Sequence, residues 1–163
     1  MMQFSQSKLD KFFEKLIAHY QSIEIEYEAL GQLERSLTRN QVGPALQKFV
    51  NSLIMPQLIV RFDGHKSVRP LLRHGMTFLP DAQVTLGNQK IVAIEVKILR
   101  DGDPSGSLSK AIGQTHLYRA LGFEMSIGII VDARSRKHIG LEIPLEVTDN
   151  LENRVKFILF NSI

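Results

Sequence analysis

Residues 78–97 constrain this chain most, because they read as a β-hairpin that carries charge where a packed hairpin is apolar. Two alternating segments flank Gly87-Asn88, a turn-forming pair. Asp81 sits on the first segment, and Glu95 and Lys97 interrupt an apolar run on the second. Successive strand side chains point to opposite faces. Val92, Ile94, Val96 and Ile98 therefore share one face, and Ile91, Ala93, Glu95 and Lys97 the other. On the first strand Ala82, Val84 and Leu86 oppose Asp81, Gln83 and Thr85. A three-residue loop, 87–89, sets Leu86 opposite Lys90 and carries Asp81 opposite Glu95, whereas a two-residue turn slips the pairing by one. Adjacent carboxylates repel unless positive charge lies between them. A divalent cation with Lys97 close by resolves that repulsion; a plain cross-strand ion-pair patch is the bland alternative.

The rest of the chain supplies a setting for the hairpin. At 163 residues, a single domain spanning 1–163 is expected, with enough chain to bury a core. There is no cysteine, which excludes disulfides, a catalytic thiol and Cys-type zinc sites, and fits a reducing, cytoplasmic setting. No apolar run approaches the ~20 residues of a membrane span, and Lys8, Asp10 and Lys11 interrupt any signal-like N-terminal pattern. The formal charge of +3 is compatible with a nucleic-acid partner.

Helical spacing of Leu9, Phe12, Phe13, Leu16, Ile17 and Tyr20 predicts a helix over 7–21. Segment 23–37 alternates at its start and is helical in composition, which favours a helix. Val42, Leu46, Phe49, Val50 and Leu53 predict a helix over 41–54, stopped by Pro56. Strands follow at 58–62, 125–131 and 156–160, with a helix at 107–121 capped by Ser105 or Ser107 and another within 142–154. Segment 61–76, with Arg61, His65, Lys66, Arg69, Arg73 and His74 against the single acid Asp63, reads as a basic strand-loop. Arg134, Arg136, Lys137 and His138 form a second basic loop. The order predicts an α/β fold: a mixed central β-sheet flanked by helices, with a helical N-terminal part over about 1–55 and a core over about 58–163.

Pro80-Asp81, thirteen intervening residues and then Glu95-Val96-Lys97 resemble the signature of the restriction-endonuclease-like PD-(D/E)XK nuclease superfamily. Gln114 and Tyr118 resemble the Gln-x-x-x-Tyr helix motif of several of its branches, and the likeness covers about 58–131. The resemblance implies a restriction-endonuclease-like core and a Mg²⁺-dependent endonuclease acting on DNA phosphodiester bonds, with Mn²⁺ as a substitute ion and a homodimer as a possible assembly. Asp81, Glu95 and the Val96 carbonyl are the implied metal ligands, hard oxygens of the kind Mg²⁺ takes. Lys97 is implied to steer the attacking water or stabilise phosphate charge, and Gln114 to orient Lys97 or contact substrate. Arg61, Lys66, Arg69, Arg73, Tyr118, Arg134, Arg136 and Lys137 are the expected nucleic-acid contacts, and His65 and His74 surface or phosphate contacts. Many members of that superfamily carry a further acid on the helix before the core, whereas 41–54 has none; Glu34 is the nearest upstream acid, with Glu28 behind it. Either Glu34 reaches the site as a further metal ligand, or the site works with one metal, or activity is weak or lost. The last makes a catalytically inactive nuclease-fold module that binds DNA or assembles the alternative; a protein-interaction domain that dimerises through its N-terminal helices is a third reading.

Overall fold

The computed structural model describes residues 5–26, 33–54, 57–135 and 154–161. Helix α1, Gln6–Ser22, is capped by Ser5, whose Oγ accepts the Lys8 amide. Its expected stripe, Leu9 to Tyr20, is buried throughout. The chain then leaves the helix. Ile23 is extended, and Ile23 and Ile25 pack on the core while Glu24 and Glu26 turn outward, so at 23–26 the alternation wins over the helical composition. Residues 27–32, Glu28 among them, lie outside the described residues.

Helix resumes at Glu34, inside the segment 23–37 expected to be helical, and continues into the helix expected from Gln41. It runs as α2 (Glu34–Leu37), a π-helical turn (Thr38–Val42) and α3 (Gly43–Asn51), with right-handed helical backbone at each junction. The π turn explains how the two expected helices join. Leu37 and Val42 are both fully buried but five residues apart, a spacing that breaks the 3.6-residue period and that the wider turn puts back in phase. The turn also stands just before Pro44, which has no N–H to donate to the preceding turn. Tyr20 Oη donates to the Val42 carbonyl at 2.9 Å and ties α1 to this helix.

Five strands form a mixed sheet in the order β1-β4-β5-β6-β7: β1 Leu58–Phe62, β4 Ala82–Leu86, β5 Gln89–Leu99, β6 Met125–Asp132 and β7 Val155–Asn161. β1, β4 and β5 are antiparallel neighbours, whereas β5, β6 and β7 run parallel. Helix α4, Pro104–Ala120, makes the crossover from β5 to β6. It begins three residues before the expected Ser107, because Asp103 caps it by accepting the Gly106 amide and Pro104 occupies its first turn. The α/β class and the mixed sheet flanked by helices are as expected. One sheet face packs α1 and α3 through Val92, Ile94, Val96 and Ile98. The α4 face carries Ala93 with Tyr118 and Phe123, and Leu99 with Ala111.

Segment 61–76, expected as a basic strand-loop, contains a second small sheet, β2 (Leu71–Arg73) with β3 (Met76–Phe78). His74 and Gly75 both have positive φ, the signature of a type I′ hairpin turn. The expected helix within 142–154 falls almost wholly outside the described residues. No helix among the described residues is long and apolar enough to cross a membrane.

Gly43 is where the long helix presses on the sheet: a Cβ there would stand 2.3 Å from the Phe62 ring. Gly43→Ala should therefore lower stability by roughly 1–3 kcal/mol through overpacking, against the ~1 kcal/mol that alanine gains as a helix former. Urea unfolding checks this, as a lower midpoint at unchanged slope.

Candidate active site at the parting of β4 and β5

The hairpin turn holds two residues, not three: Leu86 pairs with Gln89 and Thr85 with Lys90. Left alone, that turn would have moved Asp81 away from Glu95 by one residue. A bulge between Val84 and Thr85 takes up Ile91 as the extra residue, so Val84 pairs with Val92 and Ala82 with Ile94. Ile91 thereby joins the α1/α3 cluster with Val92, not the face of Ala93 and Glu95 as strict alternation predicts. Beyond the bulge the expected register holds, and the Asp81 amide donates to the Ile94 carbonyl at 3.0 Å.

There the strands part. Pro80 precedes Asp81, β4 has ended, and β5 continues for five more residues beside β6 alone. Backbone groups of a strand point alternately to its two edges. Leu99 presents its carbonyl to the β6 side, where the Ala133 amide donates to it; Ile94 presents its carbonyl to the β4 side. Val96 and Ile98 thus aim their amides at the edge that β4 has vacated. A buried amide needs an acceptor, and two acidic side chains supply it. Asp81 Oδ2 accepts the Val96 amide at 2.7 Å, and Glu34 Oε1 accepts the Ile98 amide at 3.3 Å. By the same alternation the Val96 carbonyl lies along this edge. Glu34 opens the continuous helix that runs from α2 into α3 ahead of the sheet, in the segment expected to be helical. Lys97 Nζ stands 3.7 Å from Glu34 Oε1, and Arg100 stands 4.0 Å from the same oxygen.

Glu95 is buried on the α4 face, where Tyr118 Oη donates to its Oε2 at 2.8 Å; the Tyr118 hydroxyl also lies 3.3 Å from the Leu79 carbonyl. Tyr118, expected to touch nucleic acid, is only 2% exposed and instead holds a carboxylate. Gln114, one turn earlier on α4, is half-buried on the same helix face.

The electrostatics follow from this crowding. Burial pushes the Asp81 carboxyl above its ordinary range, the Val96 amide opposes that, Glu34 adds to it and Lys97 reduces it. Glu95 is raised by burial and then by the charge of Asp81, with Tyr118 and Lys97 pulling the other way. At Glu95 the repulsion from Asp81 outweighs the attraction of Lys97. Such a pair offers hard oxygens; Asp81, Glu95 and the Val96 carbonyl are the groups here that could hold a divalent cation. Among the described residues no three His, Cys, Asp or Glu side chains form a ready-made metal group.

A cleft of about 480 Å³ opens beside Asp81, lined by Arg35, Thr38, Asp63, Ser67, Leu79 and Pro80 among others. Arg35 and Arg39, which the sequence did not single out, both pair with Asp63 and hold its carboxyl at about 2. Their spacing of four residues on one helix was the available signal. Lys66, Arg69, Arg73, His65 and His74 are exposed, with the His65 ring stacked on Phe62 at 5.2 Å. Arg61 is half-buried on β1 opposite Gln83. Arg134 is not displayed as the second basic loop suggested: it is buried in a bidentate pair with Asp132, at 2.8 and 2.9 Å. Arg136 and Lys137 lie outside the described residues.

The raised Glu95 carboxyl has a measurable consequence. A folded-state value above the unfolded one contributes stability that is complete below the unfolded range and is lost as pH rises through the folded value. In EDTA, wild-type protein should therefore lose more melting temperature between pH 5 and pH 8 than Glu95→Gln, which carries no charge there. At this chain length each ~1 kcal/mol appears as about 2–4 °C. Identical pH profiles for the two proteins would refute the placement of Glu95 beside an uncompensated Asp81.

No protein-family model, curated protein or solved structure matches this chain.

Proposed function

We propose that this chain is a metal-dependent endonuclease that hydrolyses DNA phosphodiester bonds with Mg²⁺. One observation carries the reading: Asp81 and Glu95 are held together, desolvated and under-neutralised, at a backbone edge that also gathers Lys97 and Glu34. Such an arrangement is costly for folding alone, and perturbed carboxyl pairs of this kind mark functional sites. The antiparallel β4–β5 hairpin, the α4 crossover and the parallel β6 that follow the same order as the PD-(D/E)XK resemblance support it further. A Mg²⁺ ion bound here would supply Lewis acidity and a more acidic bound water.

The chain's own residues have definable parts in that chemistry. Asp81 and Glu95 provide carboxylate oxygens, one fixed by the Val96 amide and the other by Tyr118. Lys97, half-buried and paired with Glu34, can exchange that partner for a phosphate oxygen or steer a water toward the phosphorus. Tyr118 acts through Glu95 and is a positioning residue. The cleft beside Asp81 gives an extended strand a way in, with Arg35 on its wall.

A second reading has its own observation. Glu34 is already neutralised by Lys97, Arg100 and the Ile98 amide, as it would be in a site that binds DNA or a partner without cutting. Purified protein should be incubated with plasmid, linear, branched and single-stranded DNA, with Mg²⁺ or Mn²⁺, beside Asp81→Ala. Cleavage abolished by the substitution is expected. Cleavage absent throughout, or surviving Asp81→Ala, contradicts the nuclease reading; salt-sensitive DNA binding with no divalent-ion binding favours the inactive module.

Tyr118→Phe separates the roles of the tyrosine. Removing its hydroxyl should weaken metal affinity or activity by about 10–100-fold, as loss of an outer partner of a metal ligand does, with DNA affinity in Ca²⁺ unchanged. A selective loss of DNA affinity would instead return Tyr118 to the nucleic-acid surface.

A further inference from the structure

The β2–β3 hairpin is built unlike the rest of the surface. Of the five large apolar residues that are exposed among the described residues, three lie on or just after it: Leu72 at 71%, Met76 at 56% and Leu79 at 57%. Residues 66–80 hold Lys66, Arg69 and Arg73 and no acid, a charge of +3 that equals the formal charge of the whole chain. The base of the hairpin is anchored. Leu71 is buried in the cluster that contains Tyr118, and Phe78 packs against it. The tip is free: 72–77 are exposed, and a Cβ added to Gly75 would meet nothing within 4 Å. The I′ turn keeps that tip tight.

Isolated exposed apolar residues need no explanation, but several on one protruding hairpin mark an interaction surface. Its charge selects the occupant. Two copies of this hairpin would repel each other, whereas a polyanion is attracted. Apolar side chains flanked by arginines, on a two-stranded element narrow enough for a groove, match the wedges that partly unstack base steps. We propose that the β2–β3 hairpin is an arm whose tip enters duplex DNA, with Arg69 and Arg73 on phosphates and Leu72 and Met76, which the register puts on opposite faces of the ribbon, each pressed against a base on its own side of the opened step. This inference rests on the DNA reading of the adjoining acidic site and adds where the duplex is gripped. Met76 precedes Asp81 by five residues, at most about 18 Å of extended chain. At ~3.4 Å per base pair, the disturbed step lies within about five base pairs of the phosphate at Asp81.

The test uses full-length protein and duplexes carrying 2-aminopurine, whose fluorescence rises on unstacking, at successive positions, with Ca²⁺ for binding and Mg²⁺ to map the cut on the same duplex. Wild type should brighten the probe several-fold at one step within about five base pairs of the cut. The double variant Leu72→Ser with Met76→Ser should still bind but fail to brighten it, and Leu72→Met should restore most of the signal. Arg69→Ala with Arg73→Ala should lower the salt-dependence slope by about one per residue. Unchanged melting temperatures confirm that these exposed positions leave the fold intact. A wild type that cuts DNA without brightening any probe, or a double variant that brightens it fully, overturns the arm and leaves the nuclease reading standing. A wild type that brightens the probe but never cuts leaves the arm standing and overturns the nuclease reading. A dimer that dissociates in the double variant while unstacking persists assigns the hairpin to self-association and overturns the arm.

Discussion

The parting of β4 from β5 at Asp81 is the constraint on which the rest depends. A sheet strand that loses its neighbour leaves amides without acceptors, and burial makes that costly. Here the amides of Val96 and Ile98 are taken by Asp81 and Glu34, so the solution to a backbone problem places two acids on one edge. Glu95, adjacent in the strand, adds a third acid on the α4 face, where Tyr118 steadies it. Folding and chemistry meet at this edge. The hydrogen bonds that hold the carboxylates lower their energy, and their mutual repulsion raises it again, which leaves a site that gains by taking up positive charge.

The surrounding elements fix this edge from three sides. The long helix, bent into phase by its π turn and pressed on the sheet at Gly43, sets where Glu34 arrives. Helix α4 sets where Tyr118 and Gln114 arrive, and its crossover brings β6 parallel to β5. The β2–β3 hairpin leads directly into Leu79 and Pro80, so any load on its tip reaches the start of the acidic edge through three residues of chain. The cleft lies between the helix at Arg35 and Thr38, the loop after β1 and residues 79–81.

Much of this was legible in the residues, and the exceptions have physical causes. Strand alternation placed Val92, Ile94, Val96 and Ile98 on the core face and Glu95 with Lys97 opposite. The Asp81–Glu95 register was read correctly through a turn of the wrong length, because a bulge at Ile91 added back the residue that the shorter turn removed. A bulge leaves no mark in an alternation rule that counts by two. Glu34 stands in segment 23–37, which its composition reads as helix; what a 3.6-residue template misses is that the π turn between Leu37 and Val42 joins this helix to the one from 41. Tyr118 and Arg134, expected as nucleic-acid contacts, are instead buried against Glu95 and Asp132, partners that become visible only when the fold brings them together. The basic hairpin was read as loop because His74-Gly75 is a weaker turn signal than Asn-Gly.

The central claim is that Asp81 and Glu95 form a divalent-cation site whose repulsion the ion relieves. Calorimetric titration of Mn²⁺ into the protein near pH 7, repeated in buffers of different ionisation enthalpy, tests it most directly, because binding to carboxyls held above their ordinary range must expel protons. The account predicts saturable binding with net proton release, both lost in Asp81→Ala. Binding without proton release, or binding that survives Asp81→Ala, would contradict it.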